Sequence, residues 1–422
     1  MIARLAAASA WNRRDTLLLT VLSIALSTFL LLTVERLRTD VRQSFSQSVS
    51  GTDLIVGART GSVQLMLYSV FRIGSATNNV RLESLEAVAR HRAVAWMVPM
   101  SLGDSHRGFP VLGTTPAYFD HFRYGDRQPL TLAEGKPFAG TLDGLYEAVI
   151  GAEVARRLGY GLGQRITLTH GSGSALGIEH ADKPFTVVGV LAATGTPVDR
   201  TVHVSLQAIE AIHLDWAGGA PMPGLSIPAE QARKFDLTPK TVTAALIGLR
   251  GRAAVFAVQR SIAEYEGEPL MAVLPGVALD ELWQAVGVGE RALQLMSVLV
   301  AAVSLAGLVA VVMAGLNERR RELAVLRAVG AAPRHIVALL AAEAAFVTAV
   351  GALLGTLAMM AAALLAGPWL QTQQGIALTL FPPTESQAWV LGGIALAGLV
   401  AGLVPGWRAY RMSLADGLSP RS

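Results

Sequence analysis

The side chains best suited by type to hold a cation are His170, His180, Asp182 and His203, which cluster around one Gly-rich stretch. Imidazole and carboxylate together can bind zinc. Their spacing matches no closed metal motif, so surface or structural histidines are the more economical reading. Glu179 and Asp182 read equally as solvated loop charges. The sequence contains no G-x-S-x-G elbow and no H-E-x-x-H pair. It has no G-x-x-x-x-G-K-[ST] phosphate loop either; Gly171 to Gly177 lacks the Lys-Ser/Thr that such a loop needs and reads as a flexible turn. With no cysteine, a disulfide framework, Fe–S ligation and a Cys-based zinc site are excluded. The expectation is therefore no catalytic residue and no resident cofactor, with those four residues as the candidates for a metal.

The elements that must position these residues are dominated by apolar runs. Hydrophobic residues make up 52% of the 422 and charged residues only 16%, and the mean hydropathy is +0.45. Soluble proteins carry roughly 25% charged residues. Four segments are long enough to cross a bilayer, which takes about 20 helical residues. They are 16–34, 291–316, 336–366 and 388–405. The first follows Arg13 and Arg14 but is longer than a signal-peptide core and lacks an A-x-A cleavage site, so it reads as an uncleaved anchor. Arginines concentrate at 4–14, 319–334 and 408–421. By the positive-inside rule both termini and the 317–335 connection face the cytoplasm, and the net charge of +4 reflects topology rather than nucleic-acid binding. The 1–15 stretch is then a cytoplasmic amphipathic segment, 367–387 a short outer loop and 406–422 a cytoplasmic tail. Gly351 and Gly355, and likewise Gly398 and Gly402, stand four apart in the third and fourth spans, the spacing of close helix packing. Glu343, near a span end, reads as a snorkelling or helix-pairing carboxylate in preference to an ion site.

Residues 35–290 have the composition of a soluble domain. Leu37, Val41, Phe45 and Val49 recur every four residues and extend the first helix outward. Strands are expected at 53–57, 148–151, 165–169, 185–191, 202–204 and 244–249, and helices at 82–91, 152–159 and 253–264. A second stalk helix over 279–290 leads back to the membrane. Short strands mixed with helices predict an α+β domain.

The 317–335 connection is an amphipathic helix. Leu323, Leu326 and Val329 share one face; Glu318, Arg319, Arg320, Glu322 and Arg327 fill the other; Gly330 ends it and Pro333 opens the next helix. Taken alone it reads equally as a basic interfacial helix that fixes topology. Glu318 to Gly330, followed by Glu343, Gly351 and Gly355, resembles the signature of FtsX/MacB-type ABC transporter permeases, the type VII or mechanotransmission group that includes the lipoprotein-releasing permeases. The tail Pro405 to Leu418 resembles the closing segment of that family. Glu147 to Gly159, Gly161 to Ile166 and Phe185 to Leu191 resemble the MacB periplasmic core.

The resemblance implies a four-span inner-membrane permease with a MacB-like periplasmic α+β domain, acting as a homodimer or heterodimer on two copies of a separate ATPase. ATP and Mg²⁺ would be held by that partner, and Glu318, Arg319, Arg320, Glu322, Leu323, Leu326, Arg327 and Gly330 would form the helix that couples to it. The substrate would be a lipoprotein or other amphiphile drawn from membrane lipid, with a periplasmic lipoprotein or accessory protein as a further partner. The alternative is an FtsX-like regulator that activates a periplasmic enzyme without transport. A phosphate loop fused ahead of the first span, as in MacB itself, is not present in the sequence.

Overall fold

A computed structural model describes residues 14–75, 78–171, 178–217, 220–318, 332–374 and 384–411. The apolar runs form four long helices: α1 (Arg14–Gln47), α2 (Pro275–Glu318), α3 (Pro333–Gln374) and α4 (Glu385–Arg411). Each contains a stretch long and apolar enough to cross a membrane: Leu17–Gln43, Pro275–Gly307, Arg334–Leu370 and Glu385–Leu403. Two of these helices are longer than hydropathy alone predicts. The expected stalk over 279–290 and the second span are one unbroken helix. The third helix continues past 366 through Gly367 and Pro368 to Gln374. Gly-Pro reads as a stop in a soluble sequence, yet proline is tolerated within membrane helices where neighbours satisfy the freed carbonyl.

The chain divides into two compact units. One takes α1 as far as Val41, α2 from Val286, α3 and α4; the other runs from Arg42 to Ala285. The helical unit is held by a small apolar cluster of Ile24, Ile336, Leu340, Val347 and Ala401, with Leu305, Val309 and Met313 of α2 packed against it. Towards the end of α1, Arg36 forms a buried ion pair with Asp40 (3.1 Å) and its guanidinium also donates to the Gln387 side chain on α4 (3.4 Å). Arg38 reaches Glu290 on α2 at 3.4 Å.

The second unit is built on a mixed sheet. Its strands are β1 (Leu54–Ala58), β2 (Val94–His106), β3 (Phe109–Thr114), β4 (Leu132–Gly135), β5 (Glu147–Ile150), β6 (Arg165–Ile166), β7 (Thr169–His170), β8 (Phe185–Leu191), β9 (Val202–Ser205), β10 (Ala244–Leu249) and β11 (Leu270–Val273). The order is β11-β1-β10-β2-β3-β9-β5-β8-β4, with β7 beside β2 and β6 beside β8. β3 with β9 and β5 with β8 are parallel; the other pairs are antiparallel. This is the expected α+β domain. The chain enters the sheet at β1 and leaves it at β11, and these are antiparallel neighbours in which Ile55 faces Val273. Pro275, two residues beyond β11, opens α2, where its missing N–H costs nothing.

β2 belongs to two parts of the sheet. Val94 to Met100 pair with β10, and Ser101 to His106 pair with β3. Its register against β3 shifts between Leu102 and Ser105, and Gly103 takes a φ of 145° there. A bulge of this kind re-aims the side chain beside it. That side chain is Asp104.

Candidate functional site

Of the residues expected to engage an ATPase, Glu318 is the last of α2. Arg319, Arg320, Glu322, Leu323, Leu326, Arg327 and Gly330 lie outside the described residues. The segment is framed by α2 on one side and by Pro333, the first residue of α3, on the other.

The four membrane glycines sit at helix contacts. A Cβ at Gly351 would meet the Ile24 side chain at 2.8 Å, and one at Gly355 would lie 2.5 Å from the Ala25 carbonyl oxygen, both on α1. One at Gly398 would lie 2.2 Å from Thr348 Oγ1, and one at Gly402 would lie 2.7 Å from Ala344 Cβ, both on α3. The helix backbones approach closer than any side chain allows, the arrangement small residues permit in a bilayer.

The strongest constellation of chemical groups lies in the sheet domain. Asp104, His170, His180 and His213 each offer a ligand atom, and these atoms all lie within 4.8 Å of one another. Each is delivered by a different local device. Asp104 stands at the β2 bulge, directly opposite His170 on β7. Thr169 bridges Glu179, the His170 N–H donates to the Ile178 carbonyl (2.9 Å), and the His180 N–H donates to the Leu168 carbonyl (2.8 Å). His170 and His180 are therefore diagonal neighbours on one face of this ladder. His213 caps the C-terminal end of the short helix Leu206–Ile212.

The distances are short. His170 Nδ1 lies 3.0 Å from Asp104 Oδ1 and 3.1 Å from His213 Nε2. His213 Nε2 lies 3.6 Å from Asp104 Oδ1. His213 Nδ1 donates to the Ile209 carbonyl at 2.8 Å. A carbonyl only accepts, so that nitrogen carries the proton and Nε2 presents its lone pair to the cluster. Trp216 closes one side, its ring 4.4 Å from His180 and 5.1 Å from His170 between centroids.

His180 is 1% exposed, and among the described residues neither ring nitrogen has a hydrogen-bond partner. Burial, and secondarily the charge of His213, push its pKa down to about 4, so it is a neutral imidazole at neutral pH. Burial also lowers His213, whereas the hydrogen bond that His170 donates to the Asp104 carboxylate raises His170. Asp104 is 8% exposed, and its charged or titratable neighbours among the described residues are these imidazoles.

The other two candidates are elsewhere. His203 on β9 is fully buried in the core, beside Tyr118 (5.4 Å) and Phe119 (5.9 Å), with Nδ1 donating to the Val149 carbonyl. Asp182 pairs with Lys183 at 2.7 Å. Lys183 is itself buried and donates to both Asp215 oxygens at 3.0 and 3.1 Å. Burial pushes Asp215 up, but the Ile227 N–H and the Lys183 ammonium outweigh it and hold the carboxyl below its ordinary range. Sequence reasoning therefore found two of the four clustered residues, His170 and His180. It missed Asp104, inside an unread strand, and His213, whose only signal was one more histidine in a His-rich stretch.

Residues 16–265 match the MacB-like periplasmic core domain, and residues 295–414 match the FtsX-like permease C-terminal region. No curated protein matches the chain. Among solved structures, the periplasmic region of MacB from Actinobacillus actinomycetemcomitans is 10% identical, with 57% of this chain and 94% of that one covered at a TM-score of 0.32. The extracellular domain of the noncanonic ABC-type transporter YknZ from Gram-positive bacteria is 12% identical, with 53% and 99% covered at 0.28.

Proposed function

The chain belongs to the FtsX/MacB-type permeases, and on that premise we propose that it is the inner-membrane permease subunit of an ABC transporter driven by two copies of a separate ATPase. Two permease chains form the membrane core, with both termini in the cytoplasm. ATP and Mg²⁺ are held by the partner. Closure of the two ATPases is passed through 318–330 and the helices to the outer domain, which draws a lipoprotein or other amphiphile out of the membrane.

The observation that carries this reading is the FtsX-like match over 295–414, which includes the amphipathic segment between α2 and α3. Apolar residues such as Leu323 and Leu326 can fill a groove on a partner while Arg320 and Arg327 pair with acids at its rim. A charge placed on that apolar face removes the fit without touching the outer domain.

The test is Leu326→Asp in the permease co-purified with the ATPase encoded beside it and reconstituted in vesicles carrying a triacylated lipoprotein. Wild type is expected to stimulate ATP turnover and release the lipoprotein. Leu326→Asp should lower both by at least about 10-fold, the equivalent of one lost apolar anchor of about 1.4 kcal/mol, while the permease still assembles. An ATPase that neither binds the chain nor responds to Leu326→Asp sinks the proposal. Turnover without lipoprotein release transfers the assignment to a regulator of a periplasmic enzyme.

A further inference from the structure

We propose that Asp104, His170, His180 and His213 form a binding site for one divalent d-block cation of the zinc class in the outer domain. Three geometric facts converge on it. The separations of 3.0, 3.1 and 3.6 Å among Asp104, His170 and His213 bracket the edge of a zinc tetrahedron, about 3.3 Å for bonds of about 2.0 Å. The lone pair of His213 Nε2 is aimed inward by the hydrogen bond from Nδ1 to the Ile209 carbonyl. An outer partner of this type is what fixes the tautomer of a metal-bound histidine.

The third fact is independent of the spacing. His180 is almost wholly buried, and both of its ring nitrogens lack a partner among the described residues. A buried polar atom left unsatisfied is destabilising. Metal coordination at one nitrogen relieves part of that cost. Asp104 adds a buried carboxylate surrounded by imidazoles, and a divalent cation balances its charge.

Ligand chemistry selects the metal. Three imidazole nitrogens and one carboxylate oxygen suit zinc, or cobalt and nickel as its analogues, and disfavour calcium and magnesium, which take shells of oxygen. Trp216 and the buried setting keep one face dry. The four ligands come from β2, β7, the segment that bridges β7 at Glu179, and the end of a helix. A bound ion therefore ties together segments that are distant in sequence.

The experiment uses the full-length chain without a polyhistidine tag, purified in detergent and stripped with EDTA. It is loaded with zinc, desalted and assayed for metal by mass spectrometry, and the affinity is measured by competition with a chromophoric chelator. The expected result is about one zinc per chain. Cobalt loading should give the intense visible d–d bands of tetrahedral coordination. His180→Ala and the isosteric Asp104→Asn should each weaken zinc binding by more than about 10-fold, and Asp182→Asn should leave it unchanged. Zinc should raise the unfolding temperature of wild type and not that of His180→Ala. Substoichiometric zinc in the wild type overturns the proposal, as does equal binding by wild type, His180→Ala and Asp104→Asn. Equal unfolding temperatures of the stripped wild type and Asp104→Asn establish that loss of binding is not loss of fold.

Discussion

His203 and His180 have the same side chain and comparable burial, but their surroundings give them different work. His203 is enclosed by Tyr118 and Phe119, and burial, reinforced by the charge of Arg72, lowers its pKa to about 3. Its ordinary value is about 6.5. Below that pH the unfolded chain takes up a proton that the folded chain refuses. Stability is therefore full above about pH 6.5 and falls as the pH drops towards about 3, by up to about 1.4 kcal/mol per pH unit. His203→Phe removes this term while keeping an aromatic ring in place. Between about pH 7 and about pH 5, wild type should lose about 2 kcal/mol more than the variant, measured by urea unfolding of the sheet domain at each pH. Parallel pH profiles for the two proteins refute this account of His203.

At the scale of elements, the packed glycines set how near α1, α3 and α4 can come. Gly355→Ala places a methyl 2.5 Å from a backbone oxygen of α1, where no rotamer change relieves the clash. The gain in helix propensity is about 1 kcal/mol, and overpacking costs about 1–3. The expected outcome is a lower unfolding temperature in detergent for Gly355→Ala and no such drop for Gly392→Ala, where the added Cβ meets open space. How far such elements were legible depended on whether their pattern was local. Phe185–Leu191 is buried at every second position, and its period announced a strand. The helix Ala152–Leu158 ends on Gly159 in the left-handed conformation (φ 67°), the stop that glycine signals. β2 was unreadable because Pro99, Gly103 and Asp104 interrupt its apolar pattern, and its partners on the two halves differ. The histidine cluster was half legible for the same reason. His170 meets Asp104 across 66 residues and His213 across 43, separations that only the folded sheet closes.

At the scale of the molecule, the three larger apolar clusters all lie within Arg42–Ala285, so that unit carries its own core. A fragment of those residues should fold without the membrane helices, with a single cooperative transition in urea and native-like exchange protection of the β2 and β10 amides. Multiple transitions, or loss of protection in β10, count against an autonomous domain. Residues 42–47 and 275–285 of the fragment belong to the first and second helices and join the sheet through its neighbouring strands β1 and β11.

That adjacency fixes how the sheet takes a mechanical load. Leu54 begins β1, Val273 ends β11, and the pairing of Ile55 with Val273 puts both attachments at the same end of the ladder. Tension applied equally along the two helices pulls both strands in one direction, and the hydrogen bonds between them feel no sliding force. Displacing one helix against the other instead puts that short ladder in shear, with every bond opposing the movement at once. The ladder between β1 and β11 is thus unloaded by a common pull, whereas a differential one loads all of its bonds together.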